Sequence, residues 1–251
     1  MNKVYEFILR VIPAFLIIGF WQLIISAKPS LEFYLGSPFG IAKEMISLIK
    51  AETFQRDISI TALEALLGFL TGTTVGTACG LALWFSKRIY SVTKPYITSL
   101  SSIPIFALGP ILVFWFGTGM LSKIVLGFLS TFAIALAQAY SGASEADQNL
   151  QRLLKVFGAK RIQIFQKIIV PSATIWVLSG IRLNIGMGLL GAFIGEFIAS
   201  NKGLGHLIIL AEGLYNVNQI WVGVLGIMLI ALTLSALTGP VEKWACRWQA
   251  N

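Results

Sequence analysis

The chain is poor in charge, cysteine and histidine. Only 12% of its 251 residues are Asp, Glu, Lys or Arg, about half the share found in soluble proteins. A single histidine, His206, leaves no multi-histidine metal cluster. Two cysteines, Cys79 within an apolar stretch and Cys246 near the C-terminus, suggest neither a disulfide framework nor a metal site. No G-x-x-x-x-G-K-[ST] phosphate loop, G-x-S-x-G elbow or H-E-x-x-H helix occurs. The sequence therefore assigns this chain no catalytic residue, no metal and no cofactor of its own. Low-complexity segments and tandem soluble repeats are missing too.

Apolar residues make up 56% of the chain, with a mean hydropathy of +0.80. A soluble globule of this length cannot hide so much apolar surface, so lipid is the solvent this chain fits. With a span needing about 20 mostly apolar residues, the expectation is an all-α polytopic membrane protein with six transmembrane helices. They fall at Ile8–Ala27, Ile60–Phe85, Ser102–Phe116, Leu121–Tyr140, Ile175–Ala199 and Ile220–Leu237. Residues 1–251 then form one transmembrane domain, with core spans within 60–238. The N-terminal run resembles a signal peptide, but Ile25 fits a cleavage site ending at Ala27 poorly, which favours an uncleaved first span. Pro104 and Pro110 interrupt the third span. This is either a proline kink or the mark of a translocation path.

The net charge of +8 suits a nucleic-acid partner in a soluble protein, but in a membrane protein it anchors cytoplasmic loops. Lys3 and Arg10, Lys87, Arg88 and Lys94, Arg152, Lys155, Lys160, Arg161 and Lys167, and Lys243 and Arg247 fall on one side of the six-span arrangement. Lys28, Lys43, Lys50, Arg56, Lys123 and Lys202 fall on the other. The first set is twice the second, so both termini are expected in the cytoplasm. Ser37 and Pro38 start a further, amphipathic helix in the external stretch 28–59. Gly68, Gly72, Gly76 and Gly80 form a smooth stripe for close helix packing, and Gly188, Gly191, Ala192 and Gly195 form another. Glu64, Arg182 and Glu196 lie in or near spans, where charge is costly. Each either lines the translocation path or is a boundary residue paired with a neighbour. A gradient-driven carrier would need a clear set of such groups at mid-membrane, and none is evident.

Residues 141–174 form the most informative loop. Leu150, Leu153, Leu154 and Phe157 recur at helical spacing, Asp147 or Asn149 can cap the start, and Gly158 interrupts the helix. A second helix carries Ile162, Phe165 and Ile169 on one face, and Pro171 is expected to end it. Periodicity leaves two readings open, an interfacial pair on anionic lipid or a docking element for a soluble partner.

This loop resembles the cytoplasmic loop of bacterial ABC importer permeases, whose pattern is Glu-Ala-Ala, three residues, Gly, nine residues, Ile, one residue, Leu-Pro. Gly158, Ile168 and Pro171 match, as do the flanking Ala159, Lys160 and Arg161, and Val170 replaces Leu. Arg152, Leu153 and Leu154 stand where the Glu-Ala-Ala is expected. Runs elsewhere are similar to the branch importing nitrate, taurine, alkanesulfonates and thiamine pyrimidines. They are Leu35-Gly36-Ser37-Pro38, Gly68-Phe69, Ser102-Ile103-Pro104, Trp115-Phe116-Gly117, Gly180-Ile181-Arg182, Gly195-Glu196-Phe197 and Gly203-Leu204-Gly205. The resemblance implies a type I importer-like pore in the inner membrane, made of two permease subunits as a homodimer. It implies a pair of ATPase subunits that bind ATP and magnesium and grip the loop as a coupling helix, and an extracytoplasmic substrate-binding protein. Asp147, Arg152 to Leu154, Phe157 to Arg161, Ile168 and Pro171 would form the ATPase contact.

Overall fold

A computed structural model describes the backbone of residues 3–245 and the side chains of residues 11–240. The residues beyond, Cys246 and Arg247 among them, lie outside the described part. Helix α1 (Lys3–Ala27) is followed by a single 3-10 turn, Pro29–Leu31, and the short α2 (Glu32–Leu35). Then come α3 (Pro38–Lys50) and the long α4 (Thr53–Leu83). Ser37 starts α3 as expected, its hydroxyl accepting the Gly40 N–H at 2.9 Å with Pro38 in the first turn.

The glycine stripe of α4 finds its partner in α7 (Met120–Ser144). Gly68 lies against Gly127, Gly72 against Thr131, Gly76 against Ala135 and Gly80 against Ala139. Each step of four along α4 is a step of four forward along α7, so the two helices run parallel. A Cβ on Gly68 would sit 2.9 Å from the Gly127 Cα, and one on Gly76 or Gly80 would overlap a carbonyl oxygen of α7. Only glycine permits backbones this close. Both helices run from an end marked by Thr53 and Gly119, here the distal end, to an end marked by Phe85 and Glu145, here the basic end.

Parallel helices need an odd number of crossings between them. The chain between α4 and α7 holds α5 (Lys87–Ser102) and α6 (Ile105–Phe116), whose axes meet at 91°. Twelve residues of α6 rise about 18 Å, short of a ~30 Å hydrocarbon core. The pair therefore makes one bent return crossing. It starts at the basic end, where Tyr90 stacks on Tyr140 with ring centroids 3.4 Å apart, and reaches Ile198 through Gly109. The expected third span is thus only the second limb of this crossing, and residues 87–101, expected in a loop, form its first limb. Pro104 makes the corner by forcing Ile103 into extended backbone, φ −70° and ψ 124°. Pro110, expected to interrupt as well, lies inside α6.

After the basic-end loop, Arg161–Ser179, which ends in α10 (Val170–Ser179), and α11 (Ile181–Ile198) are each long and apolar enough to cross a membrane, yet α10 and α11 form one crossing. Gly142 of α7 meets Ala173 and Trp176, Gln138 meets Gly180 and Asn184, Gly127 meets Gly188 and Gly191, and Lys123 meets Gly195. The numbers fall along α7 as they rise along the pair, so α10 and α11 are a continuous antiparallel neighbour of α7 joined at Gly180. This agrees with the expected fifth span. The last helices are α12 (Leu204–Gly213) at the distal end and α13 (Val217–Ala245). Gly226 near the start of α13 packs on Leu204 and Phe54, and Trp221 packs on Trp21 of α1. Counting α1, α4, α5–α6, α7, α10–α11 and α13 gives six crossings among the described residues.

Candidate functional site

At the basic end, α8 (Gln148–Val156) stands away from the bundle. The Asp147 carboxylate caps it, accepting the N–H of Asn149 at 2.7 Å and of Leu150 at 3.4 Å. Gly158 closes it in the left-handed region, φ 76°, while the Gly158 and Ala159 N–H groups donate to Lys155 and Leu154 carbonyls at 3.0 and 2.9 Å. Its apolar side faces outward: Leu150 is 49% exposed, Leu153 50%, Val156 84% and Phe157 77%. Its other side, Gln151, Arg152 and Lys155, lines a cavity of about 770 Å³ against the bundle.

The chain then returns through α9 (Arg161–Ile164), whose side chains tie the loop to the end of α4. Lys160 donates its N–H to Gln163 Oε1 at 2.7 Å, starting the helix. The Arg161 guanidinium donates to the Phe85 carbonyl and lies 5.2 Å over the Trp84 ring and 5.4 Å over the Phe85 ring. The Phe165 ring sits 4.7 Å from Phe85 and 5.7 Å from Trp84. Residues Phe165–Ile169 form a π-helical turn that leads without a break into α10. Pro171 therefore does not end the second helix, as the sequence suggested. It sits in the first turn of α10, where no N–H is needed, and the π turn absorbs the mismatch. Ile168 packs with Ala143, Ala146, Ile169 and Ala173, seating the loop on α7.

A second cluster lies near the distal end. Glu196 is fully buried and accepts from Thr61 Oγ1 at 2.7 Å and from the Gly205 N–H at 2.7 Å. The Leu204 N–H donates to Thr61 Oγ1 at 2.9 Å, and the Gly203 N–H to Asp57 Oδ1 at 3.2 Å. Three side chains from α4 and α11 thus cap the first turn of α12, with Gly203 at φ 101° letting the chain turn in. Lys123, also fully buried, donates to the carbonyls of Thr118 and Ala199 and holds the start of α7 to the end of α11. Glu64 is 3% exposed in the same region. Of the two roles open for Glu64 and Glu196, both stand among protein groups, and Glu196 is a helix cap. Arg182 lies apart, exposed near the start of α11.

The sequence reading missed Asp57, Thr61 and Lys123. Asp57, Thr61 and Glu64 recur at i, i+4 and i+7, a polar stripe on an apolar helix that the same spacing rule detects. Lys123 reads as a loop cation, because a lysine this close to a helix start carries no signal of burial. His206, Cys79 and the carboxylates gather no metal-binding group of three among the described residues.

Residues 72–243 match the family described as binding-protein-dependent transport system inner membrane component. The chain belongs to that family. A probable ABC transporter permease protein of Haemophilus influenzae is 31% identical over 90% of this chain and 93% of its own length. The riboflavin transport system permease protein RibX of Chloroflexus aurantiacus is 28% identical over 94% and 88%. The putative aliphatic sulfonates transport permease protein SsuC of Bacillus subtilis is 28% identical over 93% and 84%. In fold the permease is similar to the inward-facing methionine transporter MetNI, at TM-score 0.69 and 15% identity over 78% of this chain and 97% of that one. It is also similar to a bacterial transporter importing the polysaccharide alginate, at TM-score 0.65 and 15% identity over 96% and 99%. This permease is thus an inner-membrane component of a binding-protein-dependent ABC importer, with a type I importer-like fold.

Proposed function

We propose that this permease docks an ATPase subunit on α8, pairs with a second copy of itself, and passes a small solute delivered by an extracytoplasmic binding protein. The solute is a sulfonate, taurine, nitrate or a pyrimidine-type compound, in line with relatives named for aliphatic sulfonates, taurine and formylaminopyrimidine. ATP and magnesium sit on the ATPase pair and not on this chain. The basic end, carrying most of the cations, faces the cytoplasm together with both termini.

The orientation of α8 carries the docking reading. A helix lying on a lipid surface turns its apolar face inward and its charges outward. Here the basic side faces the bundle and Leu153, Val156 and Phe157 face away from it. That arrangement presents an apolar ridge to a groove on a soluble partner. Closure of the ATPase pair would pull on α8. The load would pass through Arg161 and Phe165 to Trp84 and Phe85, and α4 would carry α7 with it through the glycine seam. Pairing with a second copy is supported by the bent crossing. Val92, Tyr96, Phe106 and Phe114 are 63%, 73%, 59% and 87% exposed there, and Ser91, Ser99 and Ser102 are exposed among them. Such a mixed surface suits a partner helix and a wet path better than lipid.

The test is co-expression with the ATPase and binding protein encoded nearest the permease, purification in nanodiscs, and ATP hydrolysis with and without loaded binding protein. Hydrolysis stimulated by the loaded protein, and lost when Phe157 is changed to Asp, is expected. Uptake that persists without the ATPase and collapses with the proton gradient would replace this reading with gradient-driven transport.

A further inference from the structure

The cavity behind α8 has a feature that docking does not use. Lys87 from α5, Arg152 and Lys155 from α8 and Arg161 from α9 all line it, with the rings of Tyr90 and Tyr140 on the α5–α7 side. No carboxylate is among its lining residues, and among the described residues none of these four cations forms an ion pair within 4 Å. Arg161 is held by the Phe85 carbonyl and two aromatic rings; the other three cations have no acidic partner. Four like charges around one cavity repel one another and raise its positive potential, the more so beside a low-dielectric bundle.

We propose that this cavity is a binding site for a phosphate group, which bridges the coupling helix to the end of the bundle. A phosphate presents oxygens in several directions and accepts from Arg and Lys at once. Arg152 and Lys155 lie on the α8 side of the cavity and Lys87 and Arg161 on the bundle side, so one bound group neutralises both walls and fixes α8 against α4 and α5. The volume of about 770 Å³ exceeds that of an inorganic phosphate and leaves room for a lipid headgroup. Phosphate chemistry is shared by an anionic lipid of the facing leaflet and by a soluble phosphate, and the source is left to the measurement. Occupancy sets how stiffly α8 follows its partner, independently of which solute the pore carries.

The full chain is reconstituted in nanodiscs of phosphatidylcholine alone, or of phosphatidylcholine with a minority of phosphatidylglycerol. Retained phosphatidylglycerol is counted by native mass spectrometry in the mixed discs, and Tm is followed against inorganic phosphate in the neutral discs. At least one arm responds in the wild type: the first identifies a lipid, the second a soluble anion. Arg152→Gln with Lys155→Gln weakens that response about tenfold or more, and Lys87→Gln on the opposite wall weakens it as well. Lys167→Gln, on the exposed side of the π turn, leaves it unchanged. Without phosphate or anionic lipid the double variant melts at or above the wild-type temperature, because it relieves repulsion; this separates lost binding from lost folding. The proposal is overturned if neither arm responds, or if Lys167→Gln weakens binding as much as the double variant does.

Discussion

Glu196 shows how a charge at membrane depth becomes tolerable. Each of its oxygens receives a hydrogen bond, one from Thr61 and one from the Gly205 N–H, so its loss would leave the Gly205 N–H unpaired, while the Thr61 hydroxyl keeps the Asp57 carbonyl and the Leu204 N–H. Glu196→Ala should lower the unfolding free energy by about 1–3 kcal/mol, read as a Tm drop in detergent. Thr61→Val, which removes both a donor to Glu196 and an acceptor for Leu204, should act in the same direction. The two effects should be less than additive, since both cap one turn of α12. A Tm unchanged in either variant would remove the capping role. The cost of charge in a span was enough to pick out Glu64 and Glu196 in the sequence. It could not tell a path residue from a cap, because that depends on the chain 200–205 folding back onto α11. The same folding back makes Ala199 an acceptor for Lys123, and no local pattern encodes it.

Helices 4 and 7 are legible in part. The four-residue spacing of Gly68, Gly72, Gly76 and Gly80 announces a seam, but on the facing side of α7 the seam positions Gly127, Thr131, Ala135 and Ala139 include one glycine, and α7 reads as an ordinary apolar helix. Gly76→Ala puts a methyl against the Phe132 carbonyl, and neither backbone can yield without unzipping its neighbours. Overpacking of about 1–3 kcal/mol is expected, with a lower Tm and reduced membrane yield. Gly158→Ala is the contrasting case. Its Cβ meets nothing within 4 Å, so the cost is confined to the left-handed backbone, about 1–2 kcal/mol, and falls on α8. Tm should stay near the wild type while stimulated ATP hydrolysis falls severalfold. The loop sequence gave away this stop because glycine chemistry is local. It misplaced the effect of Pro171 because a π turn upstream is set by packing of Ile168 and Ile169 on α7.

At the scale of the whole molecule, the span count was legible from hydropathy, whereas the shape of the third crossing was not. Ser/Thr-rich α5 passes as a span only together with α6, and the parallel course of α4 and α7 requires it to help the chain return. A crossing that is half polar and largely exposed in one chain needs water or a second copy against it. This leads to a labelling experiment. Cysteines placed singly at Ser99 and Ser102, in a background with Cys79 and Cys246 changed to Ser, should react with a membrane-impermeant thiol reagent in the assembled transporter. If α8 docks the ATPase as proposed, their reactivity should change when the ATPase is trapped with nucleotide, because α5 stacks on the end of α7 through Tyr90 and Tyr140, next to the loop that carries α8. A cysteine at Leu16, on the exposed face of α1, should stay unreactive in both states, as a lipid-facing group does. Equal reactivity at all three positions would mean that α5 borders lipid or bulk solvent. Protection of Ser99 and Ser102 that depends on nucleotide would instead make the bent crossing the moving wall of the pore.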